Sequence, residues 1–169
     1  MRVLGDGFHI KGENKRLQLA LIAASREVAF VHQFFFNLVF IINIVTASSK
    51  RNDELKEAQA IEVATKIANG EFETGRGLNQ IGTLKRAGDT RWGSHLDSIS
   101  SLLKMFNATC VVLSNIASDR GSYSQRGDAN FALNQLLSFE FVFTLHLMKD
   151  IMKITHLLCI ALQQAQQSY

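Results

Sequence analysis

The sequence predicts an all-α fold, a bundle of four or five helices in one domain. The chain has 169 residues, which suits a single domain with a sizeable core. It contains no proline, so long uninterrupted helices are allowed throughout. Apolar residues recur at helical spacing over most of the chain. We therefore expect one helical domain over 15–165, a poorly ordered segment at 1–14 and a polar tail at 166–169.

The first two helices are expected at 15–27 and 28–48. Asn14 is suited to cap the first of them, and leucines share one of its faces. The second belongs to residues 28–49, a run that contains no charged side chain.

This uncharged run can be interpreted in two ways, as a membrane-spanning helix or as a buried core helix. It is long enough to span a bilayer, and Lys50 and Arg51 follow it as cytoplasmic charges would. Four polar side chains fall inside it, however, and each is costly in lipid unless it is paired: His32, Gln33, Asn37 and Asn43. We expect a buried core helix, and we keep membrane anchoring through 28–49 as a rival interpretation.

The third helix is expected at 50–69, where apolar residues repeat on one face of an otherwise charged segment. Glu62 and Lys66 lie four residues apart, in the order that favours an ion pair on a helix. Asn69 and Gly70 then supply a typical helix C-terminus.

The glycine-rich segment 70–93 predicts a mobile loop with a basic cluster at its end. It holds six of the eleven glycines. Lys85, Arg86 and Arg91 approach Trp92, the only tryptophan. A guanidinium beside an indole can hold a phosphate and stack a planar group. The alternative is that Trp92 anchors the next helix in the core while the three cations are solvated.

Two further helices are expected at 94–117 and 128–165, with Ser94 and Asp128 as N-caps. The last helix would be nearly forty residues long, and it is apolar around much of its circumference near 139–147. Such a helix is buried by several neighbours or by a partner. We therefore expect dimers or another protein partner.

The composition gives no sign of an enzyme. Net charge is +3, which permits a nucleic-acid partner without requiring one. Cys110 and Cys159 are isolated and predict buried free thiols in a reducing compartment. We expect an intracellular protein, in the nucleus or cytoplasm and not secreted. The acids are scattered and form no recognisable acid–base pair: Asp89, Asp97, Glu140 and Asp150. We expect no catalytic residue, no metal site and no cofactor.

His146 is followed by Lys149 and Asp150 at helical spacing. We expect ordinary side-chain interactions among these three residues rather than catalysis.

Several motifs in collinear order resemble the plant hAT-superfamily transposase-like proteins, which are described as TTF-type or MYM-type zinc-finger-like. The resemblance covers roughly residues 15 to 165. Its motifs are Asp89-Thr90-Arg91-Trp92-Gly93-Ser94-His95, Gly75-x-Gly77-Leu78-Asn79-Gln80, Leu17-Gln18-Leu19-Ala20-Leu21, Asn43-Ile44-Val45-x-Ala47-Ser48-x-Lys50-Arg51, and Ser138-Phe139-Glu140-Phe141-Val142-Phe143-x-Leu145-His146-Leu147-Met148-Lys149.

The resemblance implies a non-catalytic, transposase-derived piece. Members of this family resemble ribonuclease-H-like nucleases interrupted by an all-helical insertion domain, and this chain is similar mostly to that insertion. The three metal-binding acids of the family are expected to lie outside the chain. A Cys-x-x-His motif usual in the family is replaced here, since Gly12 and Lys15 occupy its two ends.

The Arg-Trp motif is the functional motif that matches residue by residue. In active relatives the tryptophan contacts a flipped or unpaired DNA base. The resemblance therefore implies base stacking for Trp92 and phosphate binding for Arg91, with single-stranded or hairpin DNA as the partner. The alternative is a helical protein–protein interaction module without a nucleic-acid role, whose exposed apolar surface once packed on the catalytic core.

Overall fold

The helices of the protein are seen in a computed structural model, which describes residues 27–71, 80–88, 92–120 and 122–167 and positions 20 and 23. All regular secondary structure in these residues is α-helical, which confirms the all-α prediction. The six helices are α1 (Ala29–Val45), α2 (Ser49–Ala68), α3 (Trp92–Lys104), α4 (Phe106–Ser118), α5 (Tyr123–Leu137) and α6 (Phe139–Gln167).

The uncharged run folds into α1, close to its predicted bounds. Leu38, Ile41 and Val45 are completely buried, and α1 packs mainly on α5. Asn37 is buried too, and its amide donates a 3.0 Å hydrogen bond to Gln135 of α5. One of the four polar residues that argued against lipid is thus paired across the helix interface, as a buried amide requires.

Within the described residues, no single helix is long and apolar enough to cross a membrane. Three consecutive helix pairs meet the length and composition only when counted together, and each pair is bent by more than 40°.

The helix predicted at 50–69 is confirmed as α2. The hydroxyl of Ser48 caps its N-terminus by accepting a hydrogen bond from the Arg51 amide. At the other end Asn69 is the C-cap, and Gly70 has a φ of 73°. That left-handed conformation favours glycine and closes the helix, as the sequence predicted.

The helix predicted at 94–117 is two helices, α3 and α4, which meet at 77°. The corner is Met105, whose side chain is 1% exposed. Thr109 strengthens the corner, because its hydroxyl and its amide both donate to the Met105 carbonyl. The bend lets α3 pack on α6 while α4 packs on α5 and α2. Tertiary burial, and not a glycine or a proline, ends α3.

The helix predicted at 128–165 is also two helices, α5 and α6, which meet at 64°. Asp128 lies inside α5, which begins at Tyr123, so its predicted capping role is wrong. The break is at Ser138, whose hydroxyl accepts a 3.2 Å hydrogen bond from the Phe141 amide and so caps α6. These two breaks raise the number of helices above the four or five expected.

The predictions for the two ends of the domain can be compared with the structure only in part. The segment 1–14 and most of the helix at 15–27 lie outside the described residues. The predicted tail at 166–169 begins inside α6, which continues to Gln167. The largest residues of the core come from all six helices, and they include Leu38, Leu55, Ile99, Leu113, Leu136 and Leu145.

Candidate functional site

Residues 80–88 form an extended strap across the helices, where a mobile loop was expected. The Gly82 amide donates a 2.8 Å hydrogen bond to Gln59, a side chain of α2 that is 2% exposed. The Lys85 amide donates a 2.9 Å hydrogen bond to the Ser101 hydroxyl of α3. Between them Leu84 is buried in the core. This part of the glycine-rich segment is therefore fixed to the bundle, because two of its backbone amides are hydrogen-bonded to helix side chains and Leu84 is buried in the core.

Arg86, a predicted nucleic-acid ligand, binds the C-terminus of α1 instead of standing free. Its guanidinium donates to the Thr46 hydroxyl at 2.8 and 3.0 Å and to the Thr46 carbonyl at 3.2 Å. Arg51 donates to the neighbouring Ile44 carbonyl at 2.9 Å. Two cations thus occupy the negative end of the α1 dipole. Lys85, which precedes Arg86 on the strap, is exposed.

The strap ends where α3 begins. The Gly88 amide donates a 2.9 Å hydrogen bond to the Ser94 hydroxyl, which in turn donates to the Gly88 carbonyl at 3.2 Å. Because α3 begins at Trp92, Ser94 is its third residue, and the prediction that Ser94 is the N-cap is wrong. Trp92 is the first residue of α3, and its side chain lies outside the described part, as does all of Arg91. The stacking and phosphate roles of this pair stay predictions.

One face of α6 is apolar and exposed, and we call it the α6 stripe. Its side chains range from 41% to 83% exposed. They are Phe139, Phe143, Leu147, Ile151, Ile154, Leu157 and Leu158. At 100° per residue they fall within an arc of roughly 120°, which also contains the exposed carboxylates of Glu140 and Asp150. The opposite face is buried and contains Phe141, Leu145, Met148, Met152 and Cys159.

The α6 stripe is large for an exposed apolar surface. Taking roughly 200 Å² for a fully exposed large apolar side chain, the stripe exposes on the order of 800 Å². The largest apolar patch of a typical monomer is about 300–600 Å². Phe139 and Phe143 stack on each other at the N-terminal end, with ring centroids 6.0 Å apart. The sequence signalled this surface through the apolar circumference of the last predicted helix.

The acids considered for catalysis include Asp97, Glu140 and Asp150, which are exposed on α3 or α6. Asp89 lies outside the described residues. His146 and Lys149 line an open groove between α3 and α6, as ordinary seam residues do. In the described residues, no group of three or more His, Cys, Asp or Glu side chains could hold a metal ion.

The two cysteines are free, as the sequence predicted, since neither is paired in a disulfide. Cys159 is buried, and Cys110 is half-buried. Burial raises the pKa of the Cys110 thiol, which disfavours its reactive thiolate.

Comparison with known proteins gives no further guide to these surfaces. No family model, no curated protein and no solved structure matches this chain.

Proposed function

We propose that this chain is a non-catalytic helical module that works by protein association, and that the α6 stripe is its association surface. The observation that carries the proposal is the run of seven large exposed apolar side chains along one face of a helix whose other face is already in the core. A helix that is apolar on two sides requires two neighbours, and the bundle supplies one of them.

The resemblance to hAT transposase-like proteins supports a transposase-derived origin for the module. In that family a helical insertion lies against a ribonuclease-H-like core. A helical piece that once packed on such a core would keep an apolar face directed toward it. We propose that the α6 stripe is this face, now available to another protein surface.

The test replaces one phenylalanine of the stripe by glutamate. Wild-type protein should form dimers or soluble oligomers at micromolar concentration, measured by light scattering. Phe143→Glu should shift the protein to monomer, because burying an unpaired carboxylate in an apolar contact is costly.

A matched control is Phe36→Glu on α1. Phe36 is 58% exposed and Phe143 is 55% exposed. Each also stacks on a phenylalanine four residues away on its own helix. Phe36→Glu should leave association unchanged. If it dissociates the protein while Phe143→Glu does not, or if the wild type is a monomer, the stripe is not the association surface.

Nucleic-acid binding at Arg91 and Trp92 is the second candidate function. The observation that favours it is that Trp92 is the first residue of α3, since the dipole of a helix favours a phosphate at this end. Two hydrogen bonds join Gly88 to Ser94 across the start of this helix.

Titration with a labelled hairpin DNA, together with thermal melts, tests this candidate. Trp92→Ala should weaken binding by about 1–3 kcal/mol, the usual value of one base–aromatic stack. Arg91→Ala should weaken binding and flatten its salt dependence. Lys85→Ala should act in the same way but less strongly, whereas Arg86→Ala should mainly lower the melting temperature, since it removes the bonds to Thr46. A wild type that binds no hairpin, with a Trp92→Ala variant that melts several degrees lower, would assign Trp92 to the core instead.

A further inference from the structure

We propose that the occupant of the α6 stripe is a second copy of this chain. The two α6 helices would pack antiparallel about a two-fold axis that passes between Ile151 and Met152. Asp150 of each copy would then lie opposite the partner's Lys153. This inference rests on the proposed function, because it names the partner and the geometry of the same surface.

The area of the stripe fits a second copy. A standard stable interface buries about 800 Å² on each partner, and the stripe exposes on the order of 800 Å². In a two-fold dimer the same patch is used on both copies, so the surface has to complement itself. A stripe whose central large apolar residues are aliphatic, with Asp150 beside them and the two phenylalanines at one end, meets this condition when the helices run antiparallel. Phe143 of each copy then lies near the partner's Leu158, and Phe139 lies opposite the partner's Gln164.

Two charged residues, Asp150 and Lys153, favour one relative direction and one register of the two α6 helices. Asp150 and Lys153 are exposed and lie roughly 60° apart around the helix, on either side of one edge of the stripe: Asp150 lies roughly 20° inside that edge and Lys153 roughly 40° outside it. Within the described residues neither takes part in an ion pair of its own copy. In an antiparallel pair the same edges of the two helices meet, so each Asp150 can approach the partner's Lys153. In a parallel pair these edges lie on opposite sides of the contact, and the pairing is lost.

The register that pairs these charges also covers the stripe. If Asp150 lies opposite the partner's Lys153, Phe143 and Leu158 both fall inside the overlap of the two helices, and Phe139 lies at its end. Rim charges of this kind contribute little to affinity, but they exclude wrong registers through like-charge contacts. The apolar stripe would thus supply the attraction, and the two ion pairs would fix the arrangement.

A cross-linking experiment tests the direction of the helices. In a background with Cys110→Ala and Cys159→Ala, Ile151→Cys lies beside the proposed axis and should form an intermolecular disulfide on mild oxidation. Phe139→Cys should not, because its two copies would lie roughly 35 Å apart at 1.5 Å per residue. Disulfides at both positions would indicate parallel helices and overturn the proposal. So would the absence of a disulfide at Ile151→Cys while light scattering shows a dimer.

A charge-reversal experiment tests the register without removing any cysteine. Asp150→Lys and Lys153→Asp should each weaken the dimer about tenfold, and the double variant should restore it, since the pairs re-form with opposite sign. The control is Asp53→Lys on α2, where Asp53 and Lys56 have the same spacing and lie 3.4 Å apart. It should leave the dimer unchanged. A double variant no tighter than the single variants would overturn the register.

Failure of this inference can be told apart from failure of the proposed function. If Phe143→Glu dissociates the protein but the cross-links or the charge reversal disagree, the stripe remains the association surface and the antiparallel dimer is wrong. If Phe143→Glu leaves the association state unchanged, the stripe is not the association surface and both proposals are wrong.

Discussion

The carboxylate of Glu62 joins two helices through one oxygen atom. It accepts a 2.6 Å hydrogen bond from Lys66 on its own helix and a 2.7 Å hydrogen bond from Asn107 on α4. Burial alone would raise the pKa of Glu62, but these two bonds and the charge of Lys66 outweigh it, so the pKa lies below its ordinary value. The sequence predicted the contact to Lys66 from spacing, whereas the contact to Asn107 required the fold.

Glu62→Gln should therefore lower stability at neutral pH and have no effect in strong acid. Because the folded pKa of Glu62 is lowered, its stabilising contribution is complete above the ordinary carboxyl pKa of about 4.3 and is lost as pH falls through the lower folded value. We expect a difference of about 1 kcal/mol at pH 7, since the side chain is only 20% exposed. Urea unfolding at several pH values measures it.

The control for this prediction is Glu57→Gln, an exposed position on the same helix. It should change stability little at any pH. A Glu62→Gln variant whose loss of stability is the same at pH 7 and pH 3 would contradict the assigned role of the carboxylate.

At the scale of elements, the two unexpected helix breaks have different origins. Ser138 carries a local signal, because serine is a favoured N-cap and its hydroxyl also donates to the Gln135 carbonyl at 2.8 Å. Met105 carries none, because methionine is a good helix former. Its corner exists because α3 and α4 must reach different partners.

Ser138→Ala should destabilise the protein by about 0.5–2 kcal/mol, the usual cost of removing an N-cap. Ser138→Asp should recover most of this loss, because its carboxylate can accept the bond from Phe141 and favours the positive end of α6. Thermal melts of the two variants beside Ser124→Ala, at an exposed position inside α5, provide the measurement. Equal stability of Ser138→Ala and the wild type would show that packing alone holds the corner.

At the scale of the whole molecule, the strap and the α6 stripe have opposite roles. The strap links three helices from outside, since Gln59 of α2, Ser101 of α3 and Thr46 at the end of α1 all bond to it. The stripe leaves one side of α6 exposed.

A dimer formed through the stripe is stabilised by mass action, so the wild-type melting temperature should rise with protein concentration. Phe143→Glu should remove this dependence, which gives a second measurement of the same substitution.

The sequence by itself determined the helical class, the bounds of α1 and α2, the Asn69-Gly70 stop and the apolar excess of α6. These properties depend on local periodicity and on capping chemistry, which neighbouring residues carry. The tertiary structure decided the corner at Met105, the fixed strap and the use of Arg86 at Thr46. Each of these depends on groups brought together from distant parts of the chain: Gln59 with Gly82, or Arg86 with Thr46. Periodicity identifies which residues share a face, but only packing decides which face is covered and which stays exposed.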